Sequence, residues 1–185
     1  PGSAVSPTRS GHGLEIRHTA DLTPPMLDAL TTLLDAAFDD WTPNDTDHTF
    51  GGLHAMMWDD ARLLAHASLV QRALLLGDRP SRVGYVEGTA VHPDHRRRGY
   101  GAAVMQAVEQ VAERAYPLAA LSTSDDARGF YEARGWVRWQ GPTSVMSPSG
   151  LARTPDDDGG VYVRSPIPLD VSAPIACDWR AADVW

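Results

Sequence analysis

The sequence predicts an α/β fold, a mixed sheet flanked by helices, on three observations. Apolar residues alternate or run on at strand length in some stretches and recur at helical spacing in others, in the order β, α, β, β, β, α, β, α, β, β. No repeat, heptad or long linker divides the chain. Its 185 residues, 43% apolar and 22% charged, suffice for one substantial core.

Each element has its own signal. The opening Pro1-Gly2-Ser3 has neither methionine nor an apolar stretch of signal-peptide type, so residues 1–13 are expected to be a mobile lead-in and 14–185 a single domain. Leu14 to His18 alternates as a half-buried strand. Thr23 and Pro24 supply an N-cap and first turn for a helix carrying Met26, Leu27, Leu30, Leu33, Leu34, Ala37 and Phe38 on one face. From Asp39 to Gly52 the chain reads as an acidic loop. His54–Trp58 and Leu63–Leu76 read as strands joined by a turn at Asp59-Asp60. After Gly77 to Pro80, Val83–Val91 is a fourth strand, and Gly88 inside it signals a bulge or a close backbone approach. A second helix starts after Gly101, with Val104, Val108, Val111, Ala112 and Ala115 inward. Leu118–Leu121 is a short strand, Ala127–Arg134 a short helix stopped by Gly135, and Trp136–Trp139 and Val161–Val163 are strands. The last 45 or so residues are otherwise rich in proline and turns.

Charge narrows the function. Twenty-four acidic against 16 basic residues leave a formal net charge of -8, the wrong sign for a phosphate-neutralising protein. Nucleic acid is therefore excluded as a general partner, and a cationic partner is favoured. No apolar run approaches the roughly 20 residues of a membrane span. The lone Cys177 allows no internal disulfide, and His48, His54, His66, His92 and His95 lack metal-ligand spacing, so no metal is expected.

The chemistry concentrates where a buried strand runs into Arg96-Arg97-Arg98-Gly99-Tyr100-Gly101 and then a helix. Glycines let the backbone turn so that N–H groups at the helix start face an anion, and the arginines add charge. A solvated helix cap also fits this segment, and its spacing is neither a Walker loop nor a dinucleotide fingerprint. A second segment follows, from Ser124 to Phe130-Tyr131-Glu132-Ala133-Arg134-Gly135-Trp136.

Together the two segments resemble the GCN5-related N-acetyltransferase (GNAT) family. The resemblance implies the GNAT fold: a mostly antiparallel sheet whose fourth and fifth strands splay to hold acetyl-CoA. It assigns Thr89, Ala90 and Val91 to the pantetheine arm, and Arg96, Arg97, Arg98, Gly99, Tyr100 and Gly101 to the pyrophosphate. Ser124 stands where many members carry asparagine. The segments around Tyr85–Gly88, His48–Ala55, Gly141–Val145, Thr154–Gly159 and Cys177–Trp185 look like those of actinobacterial aminoglycoside 2'-N-acetyltransferases. That resemblance implies a cationic aminoglycoside as substrate, a homodimer, a cytoplasmic enzyme and antibiotic resistance as its consequence. It places Asp40, Glu87, Gly88, Ser122, Asp157, Asp183 and Trp185, the last with its carboxylate, around the acceptor.

Physical chemistry gives these residues work. A polyamine needs carboxylates, each well-formed charged bond contributing about 1.5–3 kcal/mol. Loop aspartates such as Asp40 and Asp157 are equally at home in water, whereas a carboxylate within a buried strand, Glu87, needs a partner or a role. An ammonium cannot attack a thioester, so Glu87, directly or through water, is the expected base. The Val91 N–H is expected to stabilise the oxyanion and Tyr131 to protonate the departing thiolate, although a helical tyrosine can also simply pack on the sheet. Cys177 lacks activating neighbours and is not expected to carry an acyl group. Acetyl transfer to a cell-wall amino sugar or another polyamine, and non-catalytic acyl-CoA binding, are the competing readings.

Overall fold

The structure is a computed structural model that describes residues 12–185. Of the expected lead-in, residues 1–11 lie outside the described residues, and His12 and Gly13 already belong to the first strand. The elements are β1 (His12–His18), α1 (Pro24–Ala37), α2 (Pro43–His48), β2 (Leu53–Asp59), β3 (Arg62–Leu76), β4 (Arg79–Val91), α3 (Tyr100–Ala115), β5 (Ala119–Ser122), α4 (Arg128–Glu132), β6 (Val137–Arg138), β7 (Thr143–Ser147), β8 (Gly150–Arg153), β9 (Val161–Arg164) and β10 (Ile175–Asp178). They form one mixed sheet flanked by helices, as expected.

The sheet runs β6-β9-β5-β4-β3-β10-β7-β8. On the edge of β3 away from β4, its first part pairs with β2, which carries β1, and its last residues pair with β10. Among the described strands only β4–β5 and β10–β7 pair in parallel. Successive side chains of a strand alternate between faces, which sorts the core. Ala55, Met57 and Leu64 pack beneath α3 with Val104, Met105 and Val108, while Met56 and Leu63 pack beneath α1 with Leu30, Leu33 and Leu34. Covered on both faces, this part of β2 and β3 reads as a continuous apolar run.

Four expectations change. The segment Asp39–Gly52 is not loop throughout. Thr42 and Asp45 form a reciprocal capping box, and Pro43 at the first turn helps start α2. The proline-rich tail contains three unforeseen strands, β7, β8 and β10. The buried residues of β7 include Thr143 and Ser144, on opposite faces of the strand. Thr143 is satisfied by donating its N–H to Asp158 at 2.8 Å and its hydroxyl to the Thr154 carbonyl at 2.7 Å. β1 is an edge strand whose Leu14 and Ile16 are exposed, so its alternation did not mark a buried face. On α3 Ala115 faces solvent and Met105 is buried instead.

Two features of β4 position the site. Its parallel pairing with β5 comprises only Gly84–Ala119 and Tyr85–Ala120, after which the two strands separate. Its ladder with β3 steps from Ser68–Glu87 to His66–Ala90, so Gly88 and Thr89 together face Ala67. This is the bulge that Gly88 signalled, and Gly88 has φ +55°. The extra residue reverses the alternation. Val86 faces α3 before the bulge, whereas Val91 does so after it. No described helix is long and apolar enough to cross a membrane.

Candidate active site

Where β4 and β5 separate, a cavity of about 400 Å³ opens. Phe38, Asp40, Trp41, Asp45 and His48 contribute to its walls, as do Ala127 and Tyr131. Val86 to Thr89 of β4 and Leu121 to Ser124 line the split, and Arg180, Asp183 and Trp185 complete the lining. Of the expected acceptor residues, Asp40, Glu87, Gly88, Ser122, Asp183 and Trp185 thus line one cavity, as do Thr89 and Tyr131. Asp157 is not among the lining residues. It ends a 3-10 turn, and burial and the neighbouring Asp183 raise its pKa.

Glu87 is held by a residue the sequence reading missed. Its side chain is 14% exposed, and Oε1 accepts a hydrogen bond from Arg180 Nη1. The same guanidinium donates from Nε to the Asp183 carbonyl at 2.8 Å and from Nη2 to the Trp185 main-chain oxygen at 2.7 Å. Arg180 therefore ties the tail to β4. Burial raises the Glu87 pKa, and the Arg180 charge opposes that rise. Behind this pair, Arg72 donates to the Val184 carbonyl at 2.7 Å and to Asp178 at 2.8 Å. The guanidinium carbons of Arg72 and Arg180 lie 4.6 and 5.8 Å from the centre of the Tyr85 ring.

Tyr131 is placed by a second ionic cluster. The buried carboxylate of Glu109 on α3 accepts bonds from Arg134 at 2.9 and 2.6 Å and from the Trp136 indole at 2.9 Å, securing the chain that follows α4. Burial raises the Tyr131 pKa, with the Thr89 hydroxyl acting the other way. Tyr131 therefore holds its proton at neutral pH. Trp136, Trp139 and Trp185 are buried, whereas Trp179 is exposed.

At the segment expected to hold a pyrophosphate the backbone turns tightly into α3. Arg97 and Gly99 are left-handed, with φ +61° and +83°, and Gly99 caps the 16-residue α3 without a side-chain bond. A turn of this kind presents main-chain N–H groups where the helix dipole also favours an anion. Arg96, Arg97 and Arg98 are exposed, and Arg96 reaches the last carbonyl of α1 at 3.5 Å. A Cβ on Gly101 would lie 3.1 Å from Val91 Cγ2, so the glycine lets α3 approach the end of β4. Tyr100 is partly buried at the start of α3, and Ala90 is buried under α1. The split, the left-handed turn and the exposed arginines fit an extended acyl carrier with a pyrophosphate. Among the described residues no group of three or more His, Cys, Asp or Glu side chains is gathered as metal ligands. Burial pushes the Cys177 thiol up to about 11, away from thiolate chemistry.

Two histidines beneath the cavity are fully buried. His54 Nδ1 lies 2.9 Å from His66 Nε2, and burial lowers their pKa values to about 4 and about 3. An unfolded histidine titrates near 6.5, so as pH falls from there toward 4 the unfolded chain takes up protons that the folded pair refuses. The contribution of this pair to stability is accordingly present above about pH 6.5 and lost as pH falls through the folded values. The thermal midpoint is expected to drop across that window in wild type, and less steeply in His54→Leu/His66→Leu. Equal slopes would contradict this assignment.

Comparison with known proteins agrees with this geometry. The profile of the acetyltransferase (GNAT) family matches residues 17–136. An aminoglycoside 2'-N-acetyltransferase of Mycolicibacterium fortuitum is 46% identical over 97% of this chain and 96% of its own. An acyl-CoA N-acyltransferase from Pseudomonas aeruginosa has a similar structure, with TM-score 0.61 and 21% identity over 84% of this chain and 100% of its own. A GNAT family acetyltransferase from Brucella melitensis, solved in complex with acetyl-CoA, gives TM-score 0.59 and 14% identity over 92% of this chain and 98% of its own. These two likenesses support the fold. With the family profile across the split sheet and a relative matched almost end to end, the chain belongs to the GNAT acetyltransferase family.

Proposed function

We infer that the protein transfers the acetyl group of acetyl-CoA to the 2'-amino group of an aminoglycoside, by direct attack in a ternary complex. The observation that carries this reading is the cavity running through the β4–β5 split. It brings Glu87, Asp40, Asp45 and Asp183 together with Tyr131. The position of the acetylated amine is taken from the Mycolicibacterium relative.

Acetyl-CoA, when bound, supplies an activated thioester carbonyl. The turn at Arg97 and Gly99 and the start of α3 hold its pyrophosphate, and the β4 backbone from Thr89 to Val91 aligns its pantetheine arm. Asp40, Asp45 and Asp183 bind ammonium groups of the acceptor, while Gly88 and Ser122 contribute polar contacts. Glu87 removes the proton from the 2'-ammonium, directly or through water. The Val91 N–H polarises the thioester oxygen, and Tyr131 donates its proton to the departing sulfur. Asp157, beside Asp183, adds negative charge at the rim. Because acetyl-CoA is an intracellular metabolite, the reading carries a cytoplasmic location. A homodimeric state and antibiotic resistance, through loss of a cationic centre on the drug, belong to the same proposal.

The test is CoA release with pairs of aminoglycosides carrying either a 2'-amine or a 2'-hydroxyl. Turnover of the 2'-amine alone is expected. Equal turnover of both would overturn the regiochemistry. A larger kcat/KM for cell-wall amino sugars would make drug acetylation secondary.

A further inference from the structure

The bulge in β4 disturbs the ladder where the site needs it rigid, because an inserted residue has no cross-strand counterpart. Two side chains of β3 compensate. Ser68 Oγ donates to the Glu87 carbonyl at 3.1 Å, and His66 Nδ1 lies 2.8 Å from the Gly88 carbonyl oxygen. His66 is backed in turn. Its Nε2 meets His54 Nδ1, and His54 Nε2 lies 2.8 Å from the Thr19 hydroxyl. Thr19 Oγ1 receives the N–H groups of Gly51 at 3.0 Å and Gly52 at 3.3 Å.

One arrangement of protons satisfies the whole line. A carbonyl only accepts, so His66 Nδ1 must donate to Gly88. The neutral His66 ring then accepts at Nε2, so His54 donates from Nδ1 and accepts at Nε2 from the Thr19 hydroxyl, which is 2.8 Å away and 3.3 Å from its other acceptor, the Gly52 carbonyl. Both rings are fully buried, and burial keeps them neutral, which this arrangement requires. Space reinforces the constraint, since a Cβ on Gly88 would come within 2.8 Å of Thr49 Cγ2. The Gly88 peptide is thereby held between Thr49 and His66.

We propose that His66, backed by His54 and Thr19, is a positioning residue for acetyl transfer: it locks the Gly88 bulge that aims the Glu87 carboxylate at the acceptor. The bulge also reverses the parity of β4, so that Glu87 and Thr89 serve opposite faces of the split. A line of neutral hydrogen bonds suits this task. It orients the peptide without placing a second charge beside the base.

This inference rests on the proposed role of Glu87, so wild type and Glu87→Gln are measured first. If wild type acetylates no 2'-amine, or Glu87→Gln is fully active, the functional reading fails by itself. With those controls in place, His66→Leu removes the donor and His66→Asn retains one near the position of Nδ1. His66→Leu is expected to lower kcat at least about tenfold, since small misplacements of catalytic groups cost up to a hundredfold. The dissociation constant of acetyl-CoA should be unchanged, and His66→Asn should recover much of the lost kcat. Unchanged kcat in His66→Leu, or equal losses in the two variants, would overturn the proposal. If His66→Leu does not fold, Thr19→Val decides. This near-isosteric change, remote from the cavity, removes the outer end of the line, so a lowered kcat supports the proposal and an unchanged kcat refutes it.

Discussion

Glu87→Gln is expected to lower kcat by about 10²–10⁴-fold, the usual contribution of a positioned general base, and to leave acetyl-CoA affinity unchanged. The substitution keeps the shape of the side chain and its hydrogen bond to Arg180 but removes its capacity to take a proton. The acceptor presents an ammonium among carboxylates, which makes deprotonation harder and a base more necessary. Burial raises the Glu87 pKa, so the acidic limb of kcat/KM in wild type should lie above the ordinary carboxylate range. In Glu87→Gln that limb should disappear along with most of the rate. Calorimetry with acetyl-CoA and steady-state kinetics with a 2'-amine acceptor separate the two parameters. Full activity in this variant would remove Glu87 from the chemistry.

What was legible in the chain follows from how locally each signal is written. Gly88 in an otherwise β-forming run announced the bulge, and Glu87 stood out as a carboxylate in a strand with a buried face. Gly99 and Gly101 indicated a tight turn into α3, whereas nothing local announced that Arg97 would be left-handed. Three strands of the tail stayed hidden for different reasons. β7 buries threonine and serine, and β8 is a four-residue exposed edge. β10 has just three buried residues after Pro174, and its strand character comes from lying between β3 and β7. Polar partnerships that depend on tertiary register were equally invisible. His54 and His66 meet because β2 and β3 pair around a tight turn, and Arg180 meets Glu87 across 93 positions of sequence. Arg180 did lie within the Cys177–Trp185 segment that carried the resemblance, but nothing local assigned it a partner.

Arg180→Ala is expected to have the second large effect, and its dependence on pH distinguishes an electrostatic role from simple loss of packing. Removing one member of a buried ion pair costs about 3–5 kcal/mol when the remaining charge has no other way to be neutralised. Glu87 has one way, which is to bind a proton. In wild type Arg180 opposes the rise in the Glu87 pKa, so without it burial and Asp183 push the carboxyl higher still. A carboxyl whose folded pKa exceeds its unfolded value contributes stability that is present below the unfolded pKa and is lost as pH rises through the folded one. The destabilisation of Arg180→Ala measured by urea unfolding should therefore grow as pH rises, above a pH-independent part from the lost bonds to the Asp183 and Trp185 main-chain oxygens. Activity should run the opposite way. The base form becomes scarcer than in wild type at a given pH, moving the acidic limb of kcat/KM upward. Arg180→Lys should restore little, because an ammonium cannot serve Glu87, Asp183 and Trp185 in the planar arrangement the guanidinium uses. A pH-independent loss of stability with an unmoved acidic limb would show that Arg180 only packs the tail. A limb that moves while stability falls with rising pH ties both effects to the one carboxyl it faces.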